Sequence, residues 1–160
     1  MKNLQGNETL EGEDEALDQG LLPELISRQT RVTHLAIFRL AEQALGGLGI
    51  TPQQFALLVV VQRNPGSRQS LLAKARGLDK STLVPMIDRL ERDGYVERRA
   101  LATDRRIKTI WITPRGEEVL ERAVPLVRGL DDRIGAHLAP DERSELLRLM
   151  EKIRRGIEEH

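Results

Sequence analysis

The sequence predicts a mainly α-helical fold with one small β-hairpin. Apolar residues recur at helical spacing in several segments, most clearly at Leu83, Ile87 and Leu90. After Gly94 the apolar period changes to two, which predicts strands over 95–99 and 108–112. A short helix, a tight turn, a second helix and a hairpin follow one another between 67 and 112. That order is typical of a winged helix-turn-helix, with the hairpin as the wing.

Length and composition exclude several classes of protein. The chain has 160 residues, enough for one domain with a single core. It has no cysteine, so disulfides, thiolate zinc sites and cysteine-based oxidant sensing are excluded. The histidines are scattered, and we expect no metal, no cofactor and no catalytic residue. No apolar run approaches the roughly 20 residues of a membrane helix and no signal peptide is visible, so we expect no membrane partner and a cytoplasmic location.

Charge is segregated along the chain although the formal net charge is zero. Residues 1–27 contain seven acids and one lysine, whereas residues 61–108 contain twelve Lys or Arg residues and six acids. A charge run by itself is as readily a solvated face as a binding surface. Because the basic segment coincides with the predicted helix-turn-helix and wing, we interpret it as a surface for DNA phosphates.

The N-terminal third is predicted to contain an arm and two helices. Residues 1–20 are acidic, include three glycines and lack an apolar stripe, which predicts a flexible arm. The arm is either inert or a competitor of DNA for the basic surface. A long helix is predicted over 21–48, with Pro23 in its first turn. Thr51-Pro52 then predicts the N-cap and first position of a helix that ends before the turn at 64–66.

The segment 67–93 carries the predicted helix-turn-helix. A first helix is expected over 67–75, with Leu71, Leu72 and Ala75 on its buried face. Gly77 supplies the positive φ of the turn and Asp79 caps the second helix, expected over 80–93. The outward face of that second helix is small and almost uncharged, and comprises Ser81, Val84, Pro85 and Asp88. Such a face suits a major groove, where hydroxyls bond base edges and apolar groups touch thymine methyls.

From this placement we predict the residues that contact DNA. Bases would be contacted by Ser81, Val84 and Pro85, and phosphates by Lys80, Thr82 and Arg89. Arg68 and Gln69 are placed for backbone contacts at the start of the preceding helix. The wing loop, expected over 100–107 with its tip at 104–106, adds Arg105 and, just beyond it, Lys108 as phosphate contacts. Arg98 and Arg99 remain ambiguous, since one of them could be the outward face of a strand.

The C-terminal segment predicts two long amphipathic helices. Thr113-Pro114 begins a helix to about Leu138 that Pro125 should kink. The last helix opens at 139–141 and carries an apolar stripe at Leu146, Leu149, Met150, Ile153 and Ile157. A domain of this size cannot cover these surfaces easily, so we expect residues 21–50 and 114–160 to form the dimerisation helices of a homodimer around a DNA-binding lobe at 51–113. A monomer in which they fold back is the alternative.

Two sequence segments resemble the MarR (multiple antibiotic resistance regulator) family of bacterial transcription factors. They are LDKSTLVPMIDRLERDGYVERR and DRRIKTIWITPRG, with the Asp-x-Arg wing element at Asp104 and Arg106 and a Leu-Thr-x-x-Gly-like exit at 112–116. The resemblance covers roughly Leu22 to the C-terminus. It implies a winged-helix homodimer in which Arg106 enters the minor groove. Asp104 would hold the wing tip in shape by an ion pair or a turn bond. It would not touch DNA, because its charge would repel the phosphates.

The resemblance also implies a small aromatic or phenolic effector. The segment STLVPMIDRLE is similar to the branch that senses aromatic acids or their coenzyme A thioesters. Candidate lining residues are Arg31, His34, Phe38, Phe55, Tyr95 and Trp111. The aromatic residues among them are as readily core, and His34 is as readily a structural histidine.

We therefore predict a ligand-responsive dimeric repressor that binds a palindromic operator and is released by an aromatic acid or aromatic acyl-CoA. The alternative is a winged-helix module that binds a protein and no specific DNA. An enzyme is the third and most remote interpretation.

Overall fold

The computed structural model describes residues 17–101 and 103–159, without the side chain of Arg105. The chain divides into two compact units, and the boundary falls between Leu35 and Ala36. Most of the predicted acidic arm, residues 1–16, lies outside the described residues. The expectation that 21–160 form a single domain stays a prediction.

In the first unit, the long N-terminal helix begins later than the sequence predicts. Leu22–Glu24 form a single 3₁₀ turn, and the α-helix α1 spans Ile26–Gly46. Leu25 separates them because its backbone is extended, with φ −82° and ψ 124°. Pro23 therefore belongs to the 3₁₀ turn, and its carbonyl accepts a hydrogen bond from the Gln29 side chain at 2.6 Å.

The second unit contains a helical core with a small sheet, which confirms the predicted winged helix-turn-helix. After the end of α1, the elements are α2 (Pro52–Arg63), β1 (Ser67–Arg68), α3 (Gln69–Arg76), α4 (Lys80–Arg92), β2 (Val96–Leu101), β3 (Asp104–Ile112), α5 (Pro114–Ile134) and α6 (Pro140–Glu158). The three strands are antiparallel in the order β1-β3-β2. One continuous core joins leucines of α2, α3 and α4 to Val96, Ile110 and the first half of α5.

The start of the helix-turn-helix differs from the prediction. Ser67 and Arg68 pair with Ile110 and Thr109 of β3, so they form a third strand and not a helical turn. The predicted buried face of α3 is also wrong in part, because Leu72 is buried whereas Leu71 is 58% exposed and Ala75 is exposed. The inward face of α3 is formed instead by Leu72 and by Ala73, which packs against the core.

The hairpin is longer than predicted. The strands extend to Leu101 and back from Asp104, so Asp104, Arg105 and Arg106 begin β3 and are not the tip of a loop. The pairing register shifts between Ala100 and Leu101, whose partners are Lys108 and Asp104. Residues 105–107 thus lie between the partners of two consecutive β2 residues, which is the geometry of a β-bulge.

Side-chain caps fix the helix starts that the sequence predicts. Thr51 accepts from the Gln54 amide while the Gln54 side chain accepts from the Thr51 amide, at 3.2 and 2.8 Å. Thr113 caps α5 by accepting from the Gly116 amide at 3.1 Å, and its hydroxyl donates to the Gly94 carbonyl at 2.6 Å. The helix α5 ends at Ile134, earlier than the predicted Leu138, and Gly135 follows as its C-cap.

The apolar stripe of α6 is exposed in a single chain. Leu146, Leu149, Met150 and Ile153 are between 41 and 49% exposed, and Ile157 is 72% exposed. An apolar face of this kind marks a surface that another chain or element covers.

Candidate nucleic-acid interface

The first turn of α4 is held by Asp79, as predicted. Gly77 ends α3 with φ 60°, and Asp79 accepts from the Thr82 amide at 2.7 Å and from the Ser81 hydroxyl at 2.6 Å. These bonds, the Ser81 hydroxyl first, lower the pKa of the Asp79 carboxyl because they favour its charged form. The Ser81 oxygen keeps lone pairs that can accept from a base or a water.

The outer face of α4 is available to a ligand. Leu83, Ile87 and Leu90 are buried on its inner side, which confirms the predicted stripe. The predicted DNA contacts on this helix are exposed or, for Val84, half-buried: Lys80, Ser81, Thr82, Val84, Pro85 and Arg89. Arg89 donates to Asp93 at 2.8 Å, so part of its charge is already compensated.

The wing presents Arg106 through a turn inside the bulge. The Asp104 carboxylate accepts a hydrogen bond from the Arg106 backbone amide at 2.9 Å. This is a turn bond of the kind predicted to hold the wing tip in shape. Arg106 and Lys108 are exposed. The prediction for Arg105 concerns a side chain outside the described part of the chain.

The wing and the helix-turn-helix enclose an open basic cleft of about 720 Å³. It is lined by the end of β1, the first part of α3, the first turn of α4 and residues 106–108 of β3. Arg68, Gln69, Lys80, Arg106 and Lys108, all predicted DNA contacts, meet here with Lys74. The described residues that line the cleft include five cations, Arg68, Lys74, Lys80, Arg106 and Lys108, and no acid. Such a cleft concentrates phosphate and other anions.

Arg98 and Arg99, which the sequence left ambiguous, have different surroundings. Arg98 points to α4, where its guanidinium pairs with the carboxylates of Asp88 and Glu91, and its side chain is only 19% exposed. Arg99 stays on the sheet, where it pairs with Glu97 and its guanidinium lies 4.6 Å from the centroid of the Trp111 ring. No local signal in the sequence marked this difference, because Asp88 and Glu91 lie seven to ten residues before Arg98 on another element.

The candidate effector residues are distributed over both units. Arg31 and His34 are exposed on the part of α1 that lies in the first unit, and Phe38 is half-buried on the part in the second. Phe55 and Tyr95 pack against the core of the second unit, and the Arg115 guanidinium lies 5.4 Å from the centroid of the Tyr95 ring. Trp111 belongs to the wing sheet, where its indole N–H donates to the Thr109 hydroxyl at 2.9 Å. Their role in ligand binding stays a prediction.

The described part of the chain has neither a metal-binding cluster nor a membrane-spanning helix. Within residues 17–101 and 103–159, no group of three or more His, Asp or Glu side chains could hold a metal ion. No helix in the same part of the chain is both long and apolar enough to cross a membrane.

Comparison with known proteins identifies the family. The family model described as MarR family matches residues 48–107. The transcriptional regulator HosA of Escherichia coli O127:H6 is 32% identical over 104 residues, which cover 65% of this chain and 77% of HosA. The chain belongs to the MarR family. A Thauera aromatica protein assigned to transcriptional regulation of the hcr operon is 36% identical over 107 residues, 67% of this chain and 64% of that protein.

Solved structures of a transcriptional repressor have the same fold. The transcriptional repressor CouR bound to a 23-mer DNA duplex has a TM-score of 0.82 at 31% identity, covering 87% of this chain and 99% of CouR. CouR bound to p-coumaroyl-CoA has a TM-score of 0.81 at 29% identity, covering 88% and 99%. This MarR-family chain is a DNA-binding transcriptional regulator and not an enzyme.

Proposed function

We propose that this MarR-family regulator is a homodimeric repressor that binds a palindromic operator and is released by a small aromatic acid or aromatic acyl-CoA. In each subunit α4 enters a major groove and Arg106 enters the adjacent minor groove. The observation that carries the proposal is the basic cleft between α3, α4 and the wing.

The cleft suits a DNA backbone in both charge and shape. Its five cations come from four elements, so a single strand of phosphates that runs along the cleft meets β1, α3, α4 and β3. Arg68 and Lys108 hold the phosphates that fix the register, and the fixed register sets α4 against the bases. A protein-binding module would have little use for a cleft of one charge sign beside an almost uncharged helix face.

The outer face of α4 recognises the base sequence of the operator. Ser81 offers an acceptor, while Val84 and Pro85 offer apolar contacts to thymine methyls. Arg89, already paired with Asp93, contributes less to phosphate binding than Lys80 does.

Homodimerisation follows from surfaces that a single chain leaves uncovered. The stripe of α6 exposes five large apolar side chains, and α5 adds Leu126 and Ile134 at 42 and 36% exposure. Burial of these groups against a second copy is favourable at about 25 cal/mol per Å² of apolar surface. A two-fold dimer then sets two α4 helices about one DNA turn apart, which requires an operator of matching symmetry.

The repressor role and the effector class are supported by CouR. That repressor has been solved with DNA and with p-coumaroyl-CoA, and its fold matches 87–88% of this chain. Release requires the effector to favour a spacing of the two lobes that does not fit DNA. We propose Arg31, His34, Phe38, Phe55, Tyr95 and Trp111 as the residues that contact the effector. Because the protein would act on operator DNA, we also propose that it is located in the cytoplasm.

The test is a titration of purified protein against the DNA upstream of its own gene at several salt concentrations. Each phosphate contact contributes about 0.9 to the slope of log affinity against log salt. We expect tight binding with a steep slope. Arg106→Ala should lower the affinity roughly tenfold and reduce the slope by about one.

Lys152→Ala is the matched control, because it removes one exposed cation of α6 that is not among the residues of the cleft. It should leave both quantities unchanged. Wild-type protein without operator preference at moderate salt would refute the proposal. A panel of aromatic acids and their CoA thioesters, added to the complex, then identifies the effector by release of DNA.

A further inference from the structure

The base of the wing is tied to α4 by one side chain. Arg98 leaves β2 and pairs with Asp88 and Glu91, which lie about one turn apart on α4. Glu91 also accepts the Arg98 backbone amide at 3.0 Å, so the strand itself is attached to the helix. We call Arg98, Asp88 and Glu91 the wing clamp.

The clamp joins the two parts of the proposed interface that must reach different grooves. Asp88 lies on the same outward face of α4 as Ser81 and Pro85. Arg98 lies in β2 two residues before Ala100, the last residue paired before the register shift that presents Arg106. A change in the angle between β2 and α4 would therefore displace Arg106 relative to the base-reading face.

Arginine is suited to this position because its planar guanidinium offers donors on two edges. One terminal nitrogen, Nη2, donates to Asp88 and the other, Nη1, donates to Glu91. Lysine would carry the same charge but, as a point donor, could not hold both carboxylates in one fixed geometry. Ion pairs near the surface contribute little to stability, so the main effect of this cluster is the fixed geometry of its three side chains.

We propose that Arg98 is a positioning residue that holds the wing at a fixed angle to α4, so that Arg106 and the face of α4 engage their grooves together. This inference rests on the proposed DNA-binding function. A preoriented wing avoids the cost of ordering it on binding. Without the clamp, α4 still reads bases, but the wing loses its fixed position and Arg106 loses most of its contribution.

A double-mutant cycle on operator affinity tests the proposal. Arg106→Ala should weaken binding roughly tenfold in the wild type, but by about threefold or less in Arg98→Gln. Arg98→Lys should restore only part of the Arg106 effect. A role of Arg98 as charge alone predicts full restoration by lysine, and that result would overturn the proposal.

Arg99→Gln is the control, since Arg99 pairs with Glu97 and Trp111 within the sheet and does not reach α4. Its effect and that of Arg106→Ala should simply multiply. If Arg98→Gln does not fold, Asp88→Asn opens the clamp from the helix side at a residue with a 49% exposed side chain. If the effects of a clamp substitution and of Arg106→Ala on operator affinity also multiply, the positioning role is refuted. Absence of operator binding by the wild type would refute the proposed function instead.

Discussion

Two glycines of the same helix should respond to alanine with opposite signs. Gly116 lies in the first turn of α5, and a Cβ there would stand 2.1 Å from the Tyr95 carbonyl oxygen and 2.7 Å from Ile112 Cγ1. Gly129 lies farther along α5, where an added Cβ would meet nothing within 4 Å. The two substitutions make the same chemical change in one helix and differ in what surrounds it.

The magnitudes follow from the contacts that must break. At Gly129, alanine should stabilise the protein by about 0.5–1 kcal/mol through helix propensity. At Gly116 the backbone must move by about 1 Å, which disrupts the bond from the Thr113 amide to the Tyr95 carbonyl and the Thr113 cap. Each is worth about 1 kcal/mol and the overpacking adds about 1–3, so we expect a net loss of about 2–4 kcal/mol.

Thermal unfolding at one fixed protein concentration measures the difference. For a chain of this length, 1 kcal/mol shifts Tm by about 2–4 °C. Gly116→Ala should lower Tm by about 5–15 °C, and Gly129→Ala should raise it by a few degrees. An equal gain at Gly116 and Gly129 would refute the close approach of α5 to Tyr95.

Two further predictions concern α4. Pro85→Ala restores the amide that can bond the Ser81 carbonyl, so it should stabilise the helix by up to about 3 kcal/mol yet change operator preference; unchanged sequences from a binding-site selection would contradict the second part. Asp79 has a folded-state pKa below its usual 3.8, so its contribution to stability is complete above that pH and is lost as pH falls through the lower folded value. Asp79→Asn, which keeps an acceptor for the cap, should show a smaller loss of Tm than the wild type between pH 5 and about 2; identical pH profiles would refute the role of the charge.

Helix boundaries were predictable where a side chain alone determines them. Thr51, Asp79 and Thr113 cap the helices that follow them, and each was visible in the sequence because an N-cap needs only its own next turn. The apolar stripe of α4 was equally visible, since one face of a helix repeats in the sequence. The end of α5 at Ile134 was missed because Gly135 acts as a C-cap without any change in the apolar pattern before it.

Long-range pairing was not predictable in the same way. Ser67 and Arg68 form β1 only because β3 lies beside them, more than 40 residues later in the chain. Two residues are too few to show the alternation of a strand, so local helix propensity led to the prediction that the helix began at Ser67. The consequence for the site is that Arg68 enters the cleft from a strand end, held by the same β3 that carries Lys108, and not from a helix that could move apart from the wing.

The bulge in β3 explains why the wing motif could be found while its geometry could not. The sequence marks Asp104 and Arg106 by their spacing, and the Asp104 bond to the Arg106 amide needs only that spacing. The register shift needs the partner strand, because it is defined by Ala100 and Leu101 facing Lys108 and Asp104. With three extra residues on one strand, the Arg106 side chain does not have to alternate with its neighbours across the sheet. The direction of the Arg106 side chain is then set by the bulge and by the Asp104 bond. The position of the whole hairpin is set by its attachment to α4 through the wing clamp. Mutations should therefore be able to disrupt the Asp104 bond and the wing clamp separately.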